Sequence, residues 1–345
     1  MSVTTEVFGT TKDGAEVTRY TITNKNGLRM SALDFGAIIS NLEVPDKNGK
    51  NEDIVLGFDD VAGYEVNGCF FGAFIGRHGN RIGDAKFELN GTTYELEKND
   101  GKNNLHGGTP GYHEVMYQAS VTDNAVTFSR VSPDMEQGYP GNLDIRVTYT
   151  LTDDNELRID YKMKSDKDTL CNPTNHSYFN LKGHSGGTIT DHQLYIRANG
   201  FTETSQDLIP NGNIVDVTDT PMDFRTKKAI GRDIDKEYEP LQIAGGYDHN
   251  FVLDKEEGKL EKVAEVSEET TGRTMEVYTD LPGMQLYSGN FIEREEGKKG
   301  NIYIKRTGVC FETQYFPNSI NLENFTSCVL RAGEEFCSTT IYKFV

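Results

Sequence analysis

A histidine stands at position 176 within Thr174-Asn175-His176-Ser177-Tyr178-Phe179-Asn180-Leu181, among β-favouring residues and beside side chains able to fix its ring. The ordinary pKa of histidine lies near neutrality, so the ring gives and takes protons at physiological pH. Acid–base chemistry also needs a complementary base. Cys310-Phe311-Glu312-Thr313-Gln314-Tyr315-Phe316-Pro317-Asn318 sets one carboxylate inside an aromatic, largely uncharged stretch. A glutamate there is either paired or raised in pKa by desolvation, and both occur at functional sites. An edge-strand glutamate facing water would carry the same sequence. His106 lies in Asn103-Asn104-Leu105-His106-Gly107-Gly108, where paired glycines let the backbone approach a ligand. Asp248, in Gly245-Gly246-Tyr247-Asp248-His249-Asn250, suits a sugar-binding loop or a plain turn. Asn80-Arg81 adds an amide and a fork of guanidinium donors. Neutral sugars are read by such mixtures, but each residue taken singly fits a structural role. His113, His184 and His192 lie in polar, loop-like sequence with nothing beside them to suggest chemistry.

Other chemistries find less support. There is no H-E-x-x-H, no cysteine–histidine cluster and no EF-hand loop. His106 and His176 could meet in space, yet neither has a carboxylate at ligand spacing, which ranks a metal below proton transfer. Gly72 to Gly79 fits neither the P-loop nor the dinucleotide fingerprint, and G-x-S-x-G is absent. The residues call for no cofactor.

The elements that must hold these residues are short strands. Leu143 to Leu151 and Glu156 to Met163 alternate apolar and polar side chains, joined through Asp153-Asp154-Asn155. Phe87 to Tyr94 reads as a hairpin with Asn90-Gly91 at a type I′ turn. Similar runs recur at Val17 to Ile22, Ala125 to Val131, Thr274 to Thr279 and Asn301 to Ile304. Helical signals are scarce, the best being Lys255 to Val266, a short helix or an acidic loop. Many short strands and 35 glycines predict an all-β fold, a large antiparallel β-sandwich with few short helices. Without a linker or repeat, residues 1–345 are expected to form a single domain. Gly200 to Asp248 reads as a long irregular segment, of a length often functional.

The charge balance narrows the partners. The chain carries 54 acidic against 35 basic residues, a net charge of -19, which argues against nucleic acid, acidic membrane surfaces and highly anionic substrates. The five cysteines are odd in number and form no C-x-x-C pair, as expected of reduced, mostly buried thiols. No signal peptide opens the sequence and no apolar run is long enough to span a bilayer. A soluble cytoplasmic protein is expected, a monomer or weak homodimer.

Taken together, the motifs closely resemble the galactose mutarotase (aldose 1-epimerase) family. The matching pieces are Gly76 to Ile82, Asn103 to Gly108, Thr174 to Leu181, Gly245 to Phe251, Leu281 to Gln285 and Glu312 to Asn321. They stand in the family's order across nearly the whole chain. The resemblance implies the galactose mutarotase-like supersandwich, acting without metal or nucleotide on the anomeric carbon of free hexoses such as galactose and glucose. It implies Glu312 as general base, His176 as general acid and His106 as a second histidine near the ring oxygen of a small-molecule aldose. It assigns sugar contacts to Asn80, Arg81, Asp248 and Gln285, with Ser177 and Tyr178 flanking the acid. His78-Gly79 is variable ground, where the family often carries small apolar residues.

Three other functions suit parts of the pattern. A hexose-6-phosphate 1-epimerase on the same fold would want a basic cluster, and only Arg77 and Arg81 lie near the motifs. A non-catalytic carbohydrate-binding sandwich would stack sugars on exposed aromatics, often tryptophan, which this chain lacks. A glycosidase would want two carboxylates flanking a bond, a role open to Glu312 and Asp248 that leaves the histidines unexplained.

Overall fold

The computed structural model describes residues 2–345. The clearest alternating runs form strands at the expected positions: Leu143–Leu151 pairs antiparallel with Glu156–Ser165, which in turn pairs with Glu335–Phe344. These three lie inside a nine-stranded sheet that also includes Ala125–Ser132, Thr274–Thr279 and Glu261–Ser267. Leu143, Ile145, Val147, Tyr149 and Leu151 turn one face of their strand into the core, while Asp144 and Arg146 stay exposed on the other. Each such side chain contributes roughly 1.5–3 kcal/mol on burial. A second sheet of five strands runs from Ser2–Thr10 to Asn51–Asp53. A third runs in the order Pro210–Asp216, Ala198–Thr204, Asp248–Leu253, Gly283–Tyr287, Cys310–Gln314. One core cluster joins all three sheets, with Ile22 and Met30 from the second, Val147 and Ile159 from the nine-stranded one and Phe251 and Phe311 from the third. The architecture is an all-β sandwich. Among the described residues the two α-helices, Val61–Glu65 and Glu239–Ala244, are short.

Asn90-Gly91 makes the tight turn between Lys86–Leu89 and Thr92–Glu95, with φ positive at both residues (53° and 76°), as a type I′ turn requires. Two expectations need correction. Lys255 to Val266 is no helix: its second half belongs to the strand Glu261–Ser267. A register shift between Lys262 and Ala264 sets Val263 and Ala264 side by side in the interior, which masks the period-two pattern. Gly200 to Asp248 is not irregular throughout. It contains most of the hairpin Ala198–Thr204/Pro210–Asp216, the short strand Lys228–Ala229 and the helix Glu239–Ala244.

The five cysteines are free, with Cys171, Cys310 and Cys328 buried. Among the described residues, no helix is long and apolar enough to cross a membrane.

His78 is fully buried and neither ring nitrogen has a partner, so it fills space as an apolar residue would. Burial pulls its pKa from 6.5 down to about 4. The unfolded chain therefore takes up a proton through the window between those values while the native protein does not, so stability falls as the pH drops through it. For His78→Leu, the stability lost between about pH 7.5 and about pH 5 should be smaller than in the wild type by roughly 2 kcal/mol. Urea unfolding at the two pH values measures this, and an unchanged difference would count against it.

Candidate active site

The third sheet presents a polar face to a cavity. Asn250 pairs with Gln285 and Gln285 with Glu312, while Asp248 pairs with Tyr287 and Tyr287 with Cys310. Strand alternation sets these six residues on one face and sends Phe251, Met284, Leu286 and Phe311 into the core behind it. The strand Gly283–Tyr287 is consequently buried along its whole length. Gly283 makes room for this face, because a Cβ there would lie 2.5 Å from Asn250 Oδ1 and 2.8 Å from the Phe316 ring. His176 enters from the strand Thr174–His176, which pairs with Ala73–Ile75. Arg81 lies in a two-stranded ribbon, Arg81–Ile82 against Asn104–Leu105, and His106 directly follows its second strand. The His106 backbone, at a φ of 53°, donates its N–H to the Asn80 carbonyl at 3.1 Å.

The cavity measures about 450 Å³, within the range of small-molecule sites. Asn80, Arg81, His106, His176, Asp248 and Glu312 all line it, as do Phe70, Tyr178, Tyr287 and the hairpin tip Gln206-Asp207-Leu208. Glu312 Oε1 lies 3.7 Å from His176 Nε2, and the other carboxylate oxygen is buried without a partner. Burial, with the negative charge of Asp248 adding to it and Arg81 opposing it, raises the Glu312 pKa well above the ordinary carboxylate value. Burial also lowers His176 to about 3. In the protein alone, both members of the pair therefore favour their uncharged forms, with the shared proton on the carboxyl.

His106 is held differently. Its Nδ1 accepts the Asn80 backbone N–H at 3.1 Å, so the neutral ring carries its proton on Nε2 and is a donor there. Burial first, then the charges of His176 and Arg81, keep it far below its ordinary pKa. Arg81 Nε donates to Asp100 at 2.8 Å, and its Nη1 lies 3.6 Å from Asp248 Oδ2. Gln285 Nε2 donates to Asp248 Oδ1 at 2.6 Å.

The family model described as Aldose 1-epimerase matches residues 18–343. The galactose mutarotase of Bos taurus is 41% identical over 347 residues, covering 100% of this chain and 99% of that protein. This chain belongs to the aldose 1-epimerase family. The aldose 1-epimerase of Escherichia coli K12 is 33% identical over 336 residues, 96% of each chain. Among solved structures, the galactose 1-epimerase from Lactobacillus acidophilus NCFM superposes with a TM-score of 0.88 at 26% identity, covering 100% of this chain and 99% of that one. A GalM/aldose epimerase homologue from C. elegans gives 0.87 at 32% identity, covering 94% and 98%. The activity is that of an isomerase, aldose 1-epimerisation.

The epimerase fold brings most of the residues singled out in the sequence to one cavity, with two exceptions. Ser177 does not line it: its hydroxyl is buried without a partner. Gln285 also stands back, holding the Asp248 carboxylate that does line the cavity. Tyr178 contributes its ring, since its hydroxyl donates to the Cys69 carbonyl at 2.8 Å. Arg77 is fully buried, donating to Pro140 O and to the Ser132 and Thr169 hydroxyls.

His106, His176 and Glu312 offer ligand atoms within 4.8 Å of one another, a set that could hold a metal by residue type. The tautomer of His106 argues against that use, because the Asn80 N–H occupies the Nδ1 lone pair and Nε2 bears a hydrogen.

Sequence reasoning missed three contributors. Phe70 packs its ring against His106, His113 and His176 at centroid distances of 4.8, 5.0 and 5.7 Å. His113, read as a plain loop residue, is therefore a buried neighbour of the cavity. Tyr287 had a usable signal, standing two residues after Gln285 on a strand and so on the same face.

Proposed function

We propose that the enzyme interconverts the α and β anomers of free hexoses, galactose and glucose among them, with Glu312 as base and His176 as acid. The observation that carries this reading is the buried carboxylate–imidazole pair, 3.7 Å apart in a cavity sized for a small molecule. Glu312 takes the proton from the C1 hydroxyl as His176 protonates the ring oxygen, and the C1–O5 bond breaks to give the open-chain aldehyde. Rotation about C1–C2 presents the other carbonyl face, and the reverse transfers close the ring. Both groups are restored, so the reaction consumes no co-reactant. Each proton transfer is worth ~10²–10⁴-fold.

The working pair, carboxylate and imidazolium, holds the same number of protons as the uncharged pair. A sugar hydroxyl donating to Glu312 from the cavity would favour the carboxylate and tip the balance. His106, a neutral Nε2–H donor, and Arg81 steady charge at the ring oxygen. Asn80, Arg81 and Asp248 contact sugar hydroxyls, and Gln285 acts by orienting Asp248.

A phosphorylated hexose fits less well. Arg81 already faces Asp100 and Asp248, and Arg77 is committed elsewhere. Asp100, Asp207 and Asp248 line the same cavity, and like-charge juxtaposition costs several kcal/mol, or roughly a hundredfold and more in binding. Polarimetry of fresh α-anomers should therefore give a far higher kcat/KM for galactose and glucose than for glucose 6-phosphate. Equal values for the free and phosphorylated sugars would contradict this substrate assignment.

A further inference from the structure

We propose that Cys310 is a positioning residue for His176, its thiol holding the Nδ1 edge of the ring so that Nε2 faces Glu312. The Sγ atom lies 3.5 Å from Nδ1, and Nε2 on the far side of the ring lies 3.7 Å from Glu312 Oε1. Cys310 and Glu312 are two residues apart on the strand Cys310–Gln314, so both project from the same face. One strand thus touches the imidazole at both ends, while the histidine itself hangs from a different strand, Thr174–His176. Cys310 is fully buried and His176 nearly so, which leaves little water to compete for Nδ1.

Besides the thiol, the backbone of His176 itself offers the ring a hydrogen bond, and the other neighbours are rings. Tyr178, His106, Phe70 and Tyr287 pack around it at centroid distances of 5.0, 5.2, 5.7 and 6.1 Å. The titratable groups facing it are Glu312, His106, Cys310, Tyr178, Tyr287 and, across Phe70, His113, whose charge disfavours an imidazolium.

A thiol suits this place because it is both a weak donor and a weak acceptor. With the ring protonated, Nδ1–H donates to sulfur. When Nε2 gives up its proton, the neutral ring left behind keeps its hydrogen on Nδ1 and the same bond to sulfur persists. The ring can therefore pass a proton through Nε2 without losing its hold, and no covalent or redox step is involved. Burial keeps the thiol pKa well above its ordinary value, so the group stays an uncharged S–H. A carboxylate here would stabilise the imidazolium and make it a poorer acid toward the ring oxygen. The inference rests on the reading of His176 as the acid.

The test compares Cys310→Val, which keeps the bulk without the polar atom, with Cys310→Ser and His176→Asn. Loss of one hydrogen bond to a catalytic ring predicts that Cys310→Val loses roughly tenfold in kcat with KM nearly unchanged. Its pH profile should shift, and nitrogen NMR should show the His176 ring spread over both tautomers. Cys310→Ser should recover part of kcat and of the profile. A folded Cys310→Val, or Cys310→Ser if the valine variant does not fold, overturns the proposal if kcat, pH profile and tautomer all match the wild type while His176→Asn is inactive. An active His176→Asn would instead sink the assignment of the acid itself.

Discussion

Glu312→Gln is expected to lose most of the catalysed anomerisation while the protein stays folded. Glutamine keeps the size of the side chain and its place on the strand Cys310–Gln314, and removes only the ability to hold the C1 proton. The predicted fall in kcat is ~10²–10⁴-fold, the ordinary worth of a positioned base. KM should change little, because the hydroxyl contacts lie on other residues and an interaction made only in the transition state leaves ground-state binding alone. Stability should hold as well. The carboxyl is buried with one oxygen unpartnered, an arrangement that stabilises nothing and carries a desolvation penalty. Polarimetry of fresh α-galactose, set against the uncatalysed rate, measures the loss. Circular dichroism checks the fold.

His176→Asn should fall as far in kcat for the complementary reason. Asparagine keeps a polar side chain on the same strand but has nothing at Nε2, the atom 3.7 Å from Glu312. The ring also packs against Tyr178 and Phe70, so this variant should lose roughly 1–3 kcal/mol of stability, which the glutamine variant should not. The wild-type profile of kcat/KM against pH should be bell-shaped, because the pair works only when it holds one proton between its two members. Burial raises Glu312 and lowers His176, so the two limbs belong to the coupled pair rather than to either residue. Each single variant should lose the bell.

Much of this was legible in the sequence because the physics behind it is local. Leu143–Leu151 and Thr274–Thr279 alternate so regularly that their strands begin and end at the expected residues. Asn90-Gly91 announced its turn through the two positive φ values it tolerates. Glu261–Ser267 was hidden because a register shift brings Val263 and Ala264 inside together and breaks the alternation. The hairpin after Ala198 escaped because its second strand, Pro210–Asp216, is mostly exposed and polar.

The site divides in the same way. Glu312 stood out by its uncharged surroundings and His176 by its flanking residues, yet their meeting depends on strands far apart in the chain, and only the family resemblance linked them. Phe70 left no mark, since its position among three imidazoles depends on a positive φ at a residue type that rarely adopts one. Ser177 neighbours His176 in sequence but, just past the end of the strand Thr174–His176, buries its hydroxyl away from the cavity.

The central claim is that Glu312 and His176 act as one unit, serving the two ends of the C1–O5 bond in the same step. Comparing kcat for Glu312→Gln, His176→Asn and the double variant in one polarimetric series tests this most directly. If the bond breaks only when both ends are served, removing the second partner costs little more, and the double variant should be within about threefold of the slower single variant. Losses that multiply, or a folded single variant that keeps near-native kcat, would contradict it.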